Sequence, residues 1–359
     1  MVVDGKPDIV LGPRGPDALA AWHRHHVEPV LEPGLPIIDP HHHLWMRRPY
    51  RYGIEDFLAD VGSGLQVVAT VHVECSSAYW TAGPAELRPV GETACIAGMD
   101  SDRLPATGPR VAAGMVGFAD LRLGSRVRSV LEAHLEAGRG RFRGVRVRSM
   151  REEWLHGARQ PAPGLLGDAK FRAGFAQLAP LGLVYDAWLY FHQLEELADL
   201  ARRFPETTIV VDHLGGPLGV GRWAVREAFP SWRSALAALA RFPNVFAKIG
   251  GLGMPCCGLG LEALVAPAGP DQLLAAWNPY IQACIEAFGP SRCMFESNFP
   301  LDKQSASYVA LWNTFKRATA AYSAGERAAL FHGTANRVYR LGCETAPVED
   351  TRKDNWRAS

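Results

Sequence analysis

The feature that most constrains this chain is a repeat of architecture: short β-rich runs, each followed by a helical pattern. The runs cover residues 36–39, 67–74, 111–118, 142–147, 183–187, 208–212, 245–249 and 293–296, eight in all. Several are apolar at nearly every position, as strands buried on both faces of a parallel sheet must be. Between them, apolar residues recur at three and four spacing over 127–137, 171–178, 194–203, 232–241 and 273–288, the signature of amphipathic helices. Asp168 and Asp271 stand at N-cap positions ahead of two of these. Returns from helix to strand are short, such as Pro180-Leu181-Gly182. Connections from strand to helix are long, notably 75–84, 149–167, 213–230 and 250–270. In a (β/α)8 barrel the long loops gather at the C-terminal face, where chemistry occurs. A doubly wound open sheet competes, but no Gly-x-Gly-x-x-Gly turn follows the first strand, so dinucleotide binding has no support. The expected fold is α/β, a single (β/α)8 TIM barrel over residues 35–342. An N-terminal arm (1–34) precedes it and a loose C-terminal tail (343–359) follows.

Composition narrows the function classes. Lys plus Arg (38) nearly cancels Asp plus Glu (37) in 359 residues, and no basic stripe stands out, so nucleic acid is not the expected partner. No apolar run approaches the ~20 residues that span a bilayer, and the N-terminus lacks a secretory pattern, so a membrane partner is not expected and the cytoplasm is. Seven scattered cysteines without a Cys-x-x-Cys fit reduced thiols better than a disulfide framework.

The residues that carry chemistry sit where strands end. The first strand reads Asp39-Pro40-His41-His42-His43-Leu44-Trp45. Alternation sends His41 and His43 to one side, the barrel mouth, and His42 elsewhere. Two imidazoles on one rigid strand suit a divalent metal such as Zn, Mn or Fe. The sixth strand ends Asp212-His213-Leu214-Gly215-Gly216-Pro217, which makes His213 a third ligand or a general base. The eighth reads Met294-Phe295-Glu296-Ser297-Asn298-Phe299-Pro300-Leu301-Asp302. Alternation puts Glu296 and Asn298 on a shared face, while Asp302 lies past Pro300, in position to cap the next helix. Glu74 ends the second strand and offers another carboxylate for a metal, or an ion-pair partner for Arg146 or Lys248. Arg146 and Arg148 end the fourth strand, where a guanidinium fork suits a substrate carboxylate or hydroxyl. Lys248 ends the seventh, and Tyr190 follows the fifth at a pocket-lining position. No G-x-S-x-G elbow is present, so a serine hydrolase is unsupported.

Taken in order, Asp39–Trp45, Arg143-Gly144-Val145-Arg146, Asp212–Pro217, Met294–Pro300 and the closing Ala335-Asn336-Arg337-Val338-Tyr339-Arg340 resemble the amidohydrolase-related, TIM-barrel metal-dependent hydrolases. That group includes sugar lactonases and the 2-pyrone-4,6-dicarboxylate lactonase, and the resemblance spans roughly residues 35–341. It implies His41, His43 and His213 at the mouth as metal ligands or substrate holders, with Arg146 on the substrate. The family's last strand usually carries Ser-Asp before an aromatic residue and Pro, the Asp serving as ligand and base. Asn298 stands there in this chain, and Glu296 and Glu74 are the acids available to replace it. The implied function is opening of a lactone or related cyclic ester, by metal- or His-assisted attack of water. Glu296 or His213 would activate the water. A metal-dependent decarboxylase, a di-metal oxygenase and a non-catalytic partner subunit are the alternatives. The expected partner is a small-molecule substrate, a carboxylate-bearing one among the candidates; a homo-oligomer or a complex with a paralogous subunit stays open.

Overall fold

The computed structural model describes residues 12–46, 51–99, 108–157 and 160–344, together with the backbone of a short antiparallel pair, Val2–Val3 with Lys6–Pro7. Eight parallel strands follow one another around the sheet: β1 (Ile37–His42), β2 (Val67–Val73), β3 (Arg110–Gly117), β4 (Phe142–Arg148), β5 (Val184–Trp188), β6 (Ile209–Val211), β7 (Val245–Ile249) and β8 (Cys293–Phe295). The ring is nearly closed. A parallel bridge joins His42 to Phe299, and the Asn298 and His43 amides donate to the carbonyls of His41 and Phe299 at 2.9 and 2.8 Å.

The strand apolarity has a direct structural reason. Ile38, Val71, Val116, Val184, Val210 and Met294 cluster inside the ring, with Val338, Tyr339 and Leu341 from the C-terminal segment packed against them. Ile37, Val145, Tyr185, Ile209 and Ala247 belong to the larger cluster between strands and helices. Both faces are therefore largely dry along most of each strand, and polar residues concentrate toward the strand ends.

The outer helices include α1 (Val90–Ala97), α2 (Val127–Ala137), α3 (Ala169–Phe175), α4 (Leu194–Arg203), α5 (Val225–Leu239), α6 (Pro270–Phe288) and α7 (Tyr308–Ala318), while α8 (Thr334–Tyr339) packs against the inner cluster. Asp168 caps α3 as expected, its side chain accepting from the Phe171 amide at 2.8 Å. Asp271 does not cap: Gly269 is the N-cap, Pro270 takes the first helical position, and Asp271 lies in the first turn, where a negative charge still suits the helix dipole. Helix α5 begins earlier than its apolar spacing suggests and carries Pro230 in its second turn. Ahead of the barrel, the helix Pro16–His23 is tied to the loop after β7, Trp22 donating to the Leu264 carbonyl at 3.0 Å. The remainder of the anticipated arm and tail lies outside the described residues. Among the described residues, no helix is long and apolar enough to cross a membrane.

Candidate active site

The strand ends deliver their polar residues to one buried cluster. His41, at the end of β1, has its Nδ1 2.8 Å from Glu296 Oε2 and 3.5 Å from Asp212 Oδ1. His213 follows β6 in left-handed backbone (φ 53°), a conformation uncommon for a non-glycine residue. The flanking glycines permit it: a Cβ on Gly216 would lie 2.2 Å from the Leu189 carbonyl, and one on Gly251 would strike the His213 ring. So held, His213 donates from Nδ1 to Glu296 Oε1 at 2.6 Å, and its amide reaches the same oxygen at 3.2 Å. Trp188 packs edge-on against its ring.

Glu296 is fully buried. Burial pushes its carboxyl up, but His213 and His41 beside it outweigh that and hold it at about 2, so it is an anion. Burial and the Lys248 ammonium keep His41 well below the usual imidazole range, hence neutral. Donor atoms of His41, His213 and Glu296 all lie within 4.8 Å of one another. Glu296 Oε2 meets only His41 Nδ1, at 2.8 Å, and the buried Asp212 oxygens face Lys248 at 3.1 Å and Arg146 at 3.9 Å without a well-aligned hydrogen bond. Two imidazoles and a carboxylate with converging buried donor atoms fit a divalent cation.

Cations of the protein itself surround this cluster. Lys248 is fully buried, with Nζ 2.6 Å from Asp186 Oδ2, 3.1 Å from Asp212 Oδ1 and 3.2 Å from His41 Nδ1. It is a structural ion-pair partner beneath the site and does not line the cleft, so the substrate-binding role read from its position is corrected. Arg146 donates to Glu74 Oε1 at 3.1 Å from Nε and to the Glu74 carbonyl, and points Nη1 at His41 Nε2, 3.2 Å away. Glu74 also faces Arg148 at 3.3 Å. The pairing that sequence offered as its alternative is the one formed, and Glu74 stays apart from the His41, His213 and Glu296 donors.

His43 does not join those donors either. Its Nδ1 lies 2.7 Å from the Val73 carbonyl, which can only accept, so Nδ1 carries the proton and Nε2 keeps a lone pair. Its ring stands edge-on to His41, 5.0 Å away, and lines the cleft. His42 turns away as expected and stacks on Phe57 at 4.0 Å.

Asn298 departs from simple alternation. Its backbone is left-handed (φ 53°), and its side-chain amide donates to Asp302 at 2.9 Å. Asp302 accepts from the Gly253 amide at 3.1 Å as well, and burial raises its carboxyl to about 7. Asp302 does not cap the next helix as expected, because Ser307 does, accepting from the Ala310 amide; the Asp302 side chain is used on Gly253 and Asn298 instead.

Above the cluster lies a cleft lined by His43, Arg146, Arg148, Trp188, Tyr190 and His213, with Cys75, His156 and Met254 completing much of its wall. Its volume of about 130 Å³ suits a small ring, not a polymer. Tyr190 lies where expected, its hydroxyl 2.9 Å from His156 Nε2. His156, Asp186 and Asp212 are residues of the site region for which the sequence reading named no role. Asp212, beside His213 at the end of an apolar strand, carried a usable signal, as did Asp186 inside the β5 run. His156 ends a short helical turn, Glu153–His156, within the long connection after β4 and had none.

Comparison with known proteins shows the family. The amidohydrolase family model matches residues 38–341. An uncharacterised protein of Sinorhizobium fredii is 35% identical over 336 residues, covering 86% of this chain and 99% of its own. An L-fucono-1,5-lactonase of Burkholderia multivorans is 30% identical over 319 residues, covering 85% and 96%. A solved amidohydrolase of Burkholderia multivorans with bound zinc superposes with a TM-score of 0.64 at 27% identity, over 85% of this chain and 99% of that one. The chain belongs to the amidohydrolase family and is a hydrolytic enzyme.

Proposed function

We propose that this enzyme opens the ring of a small lactone or related cyclic ester at the mouth of the barrel. The observation that carries the reading is the dry grouping of His41, His213 and Glu296 directly beneath a small aromatic cleft. The lactonase relative and the zinc-bound solved neighbour support it. His41, His213 and Glu296 would hold a divalent cation, with zinc favoured by the donor set. Such an ion supplies polarisation of a carbonyl oxygen and a lowered pKa for water.

The chain's own residues do the rest. His43 presents an unprotonated Nε2 to the cleft, its tautomer fixed by the Val73 carbonyl, and accepts a proton from water there. Glu296 serves as ligand and not as base, because a carboxyl held at about 2 is too weak a proton acceptor near neutral pH. Trp188 and Tyr190 flank the ring and exclude water, and the His156–Tyr190 hydrogen bond fixes the phenol at the wall. Arg148, about two-fifths exposed, reaches a carboxylate or hydroxyl at the rim, while Arg146 stays locked on Glu74.

A panel of sugar-acid lactones, with and without a carboxylate, tests this by pH-indicator detection of acid release. Turnover should appear with the zinc-loaded protein and fall by roughly a hundredfold or more in His41→Ala and His213→Ala, the scale for loss of a catalytic metal's ligand. Turnover unchanged in both variants, or absent on every lactone with metal loaded, would sink the proposal.

A further inference from the structure

A second set of donors lies between β2 and α1, outside the cluster at the mouth. His72 Nε2 is 3.3 Å from Glu92 Oε1, and the Cys75 thiol is 3.2 Å from the same oxygen. The three side chains are only 2%, 7% and 4% exposed for His72, Cys75 and Glu92, and their donor atoms lie within 4.8 Å of one another. Bonds of about 2.0–2.3 Å at a tetrahedral angle put neighbouring donors ~3.4 Å apart, so little movement separates this arrangement from a coordination shell.

Charge points the same way. A buried carboxylate is ordinarily paired with a cation or bound to a metal. Glu74 has Arg146, and Asp186 and Asp212 have Lys248. Glu92 has no Lys or Arg within ion-pair distance among the described residues, and its Oε2 is buried without a hydrogen-bond partner. A dication with a thiolate, a carboxylate and a neutral imidazole has no net charge, which suits a dry location. The donors come from rigid elements: His72 from β2, Glu92 from the first turn of α1, and Cys75 from just past the strand, its amide fixed on Glu92 at 2.9 Å. Cys75 also forms part of the cleft wall, which gives an ion and a water ligand a route in.

We propose that His72, Cys75 and Glu92 form a second divalent-cation site, for a borderline-soft ion such as zinc, that ties the end of β2 to α1. Binding displaces the thiol proton and exchanges hydrogen bonds to Glu92 for bonds to the metal; no redox step is involved.

Cobalt(II) distinguishes this site from the one at the mouth, because His41, His213 and Glu296 include no sulfur. The full chain, stripped with chelator, is titrated with cobalt while the thiolate-to-cobalt charge-transfer absorption is followed in the near ultraviolet. That band should saturate with the amplitude of one sulfur-bound cobalt per chain, whichever of the two sites fills first, and be bleached by added zinc. It should vanish in Cys75→Ser, persist in His41→Ala, and need roughly tenfold or more extra cobalt in Glu92→Gln, since even outer-shell changes at metal sites cost that much. No band in the native chain at saturating cobalt overturns the proposal, as does an equal band in Cys75→Ser, which would place the sulfur elsewhere. Should Cys75→Ser fail to fold, an unchanged midpoint in Glu92→Gln overturns it instead.

Discussion

Replacing Lys248 with Met separates the two kinds of cation in this barrel, the protein's own and the one it would bind. The side chains are similar in length, so packing beneath the site is largely kept and the ammonium alone is lost. Lys248 neutralises Asp186 at 2.6 Å and Asp212 at 3.1 Å, and all three are fully buried. Removing one partner of a buried ion pair costs about 3–5 kcal/mol, because the other charge is left uncompensated. At about 2.1 cal/mol/K of unfolding entropy per residue, that loss lowers the melting temperature by roughly 4–7 °C for a chain of this size. The effect depends on pH with a definite sign. Burial already lifts the Asp186 carboxyl to about 6 against the pull of Lys248, and without the ammonium it rises further. A carboxyl whose folded pKa is raised is protonated in the fold at low pH, so its penalty is absent below the unfolded value and grows as pH rises through the folded one. At ~pH 5.5 the penalty from this group is held to roughly 2 kcal/mol, and by ~pH 8 it is complete. Melts followed by circular dichroism at the two pH values read this directly, and Lys248→Met/Asp186→Asn should recover much of the loss at high pH. Equal melting of Lys248→Met and the parent at ~pH 8 would refute the reasoning, as would a deficit that grows on acidification.

Glu296→Gln should behave with the opposite sign. A depressed carboxyl contributes above its unfolded pKa and loses that contribution as pH falls toward about 2, so the variant's deficit, about 3 kcal/mol near neutrality, should shrink in acid melts. In steady-state assays on a carboxylate-bearing lactone, Arg148→Ala should raise KM about tenfold with kcat nearly kept, the worth of one charge-assisted hydrogen bond, and leave an uncharged lactone unaffected. Equal losses on both substrates would remove Arg148 from recognition. Gly216→Ala should yield little soluble protein, or protein without activity, because its Cβ would sit 2.2 Å from the Leu189 carbonyl at the turn that aims His213. Normal expression and turnover would show that the turn relaxes.

How far such a site can be read from sequence depends on whether a residue's role is set by its own strand or by its neighbours. Strand β7 falls on residues 245–249, as its apolar run indicates, and the other seven barrel strands shift by only a few residues at their ends, since burial on both faces marks each one locally. His41 and His213 were legible for the same reason: a strand end at the barrel mouth is a place, and imidazole there has few uses. Glu74 and Lys248 show where that reasoning stops. Both stand at strand ends as His41 does, yet Glu74 is taken by Arg146 two strands away, and Lys248 by Asp186 on β5 and Asp212 just past β6. Pairing across strands turns on depth and on which side chain reaches first, and neither is written into a strand's own run. The exchange at β8 follows the same logic. Asn298 stands where the family pattern places an acid, while Glu296, one alternation deeper, meets His41 and His213, and Asp302 returns a carboxylate to Asn298 from four residues on. The carboxyls beneath the cleft thus stand at other positions of the chain than that pattern gives, Glu296 as an anion and Asp302 with its carboxyl raised to about 7 by burial.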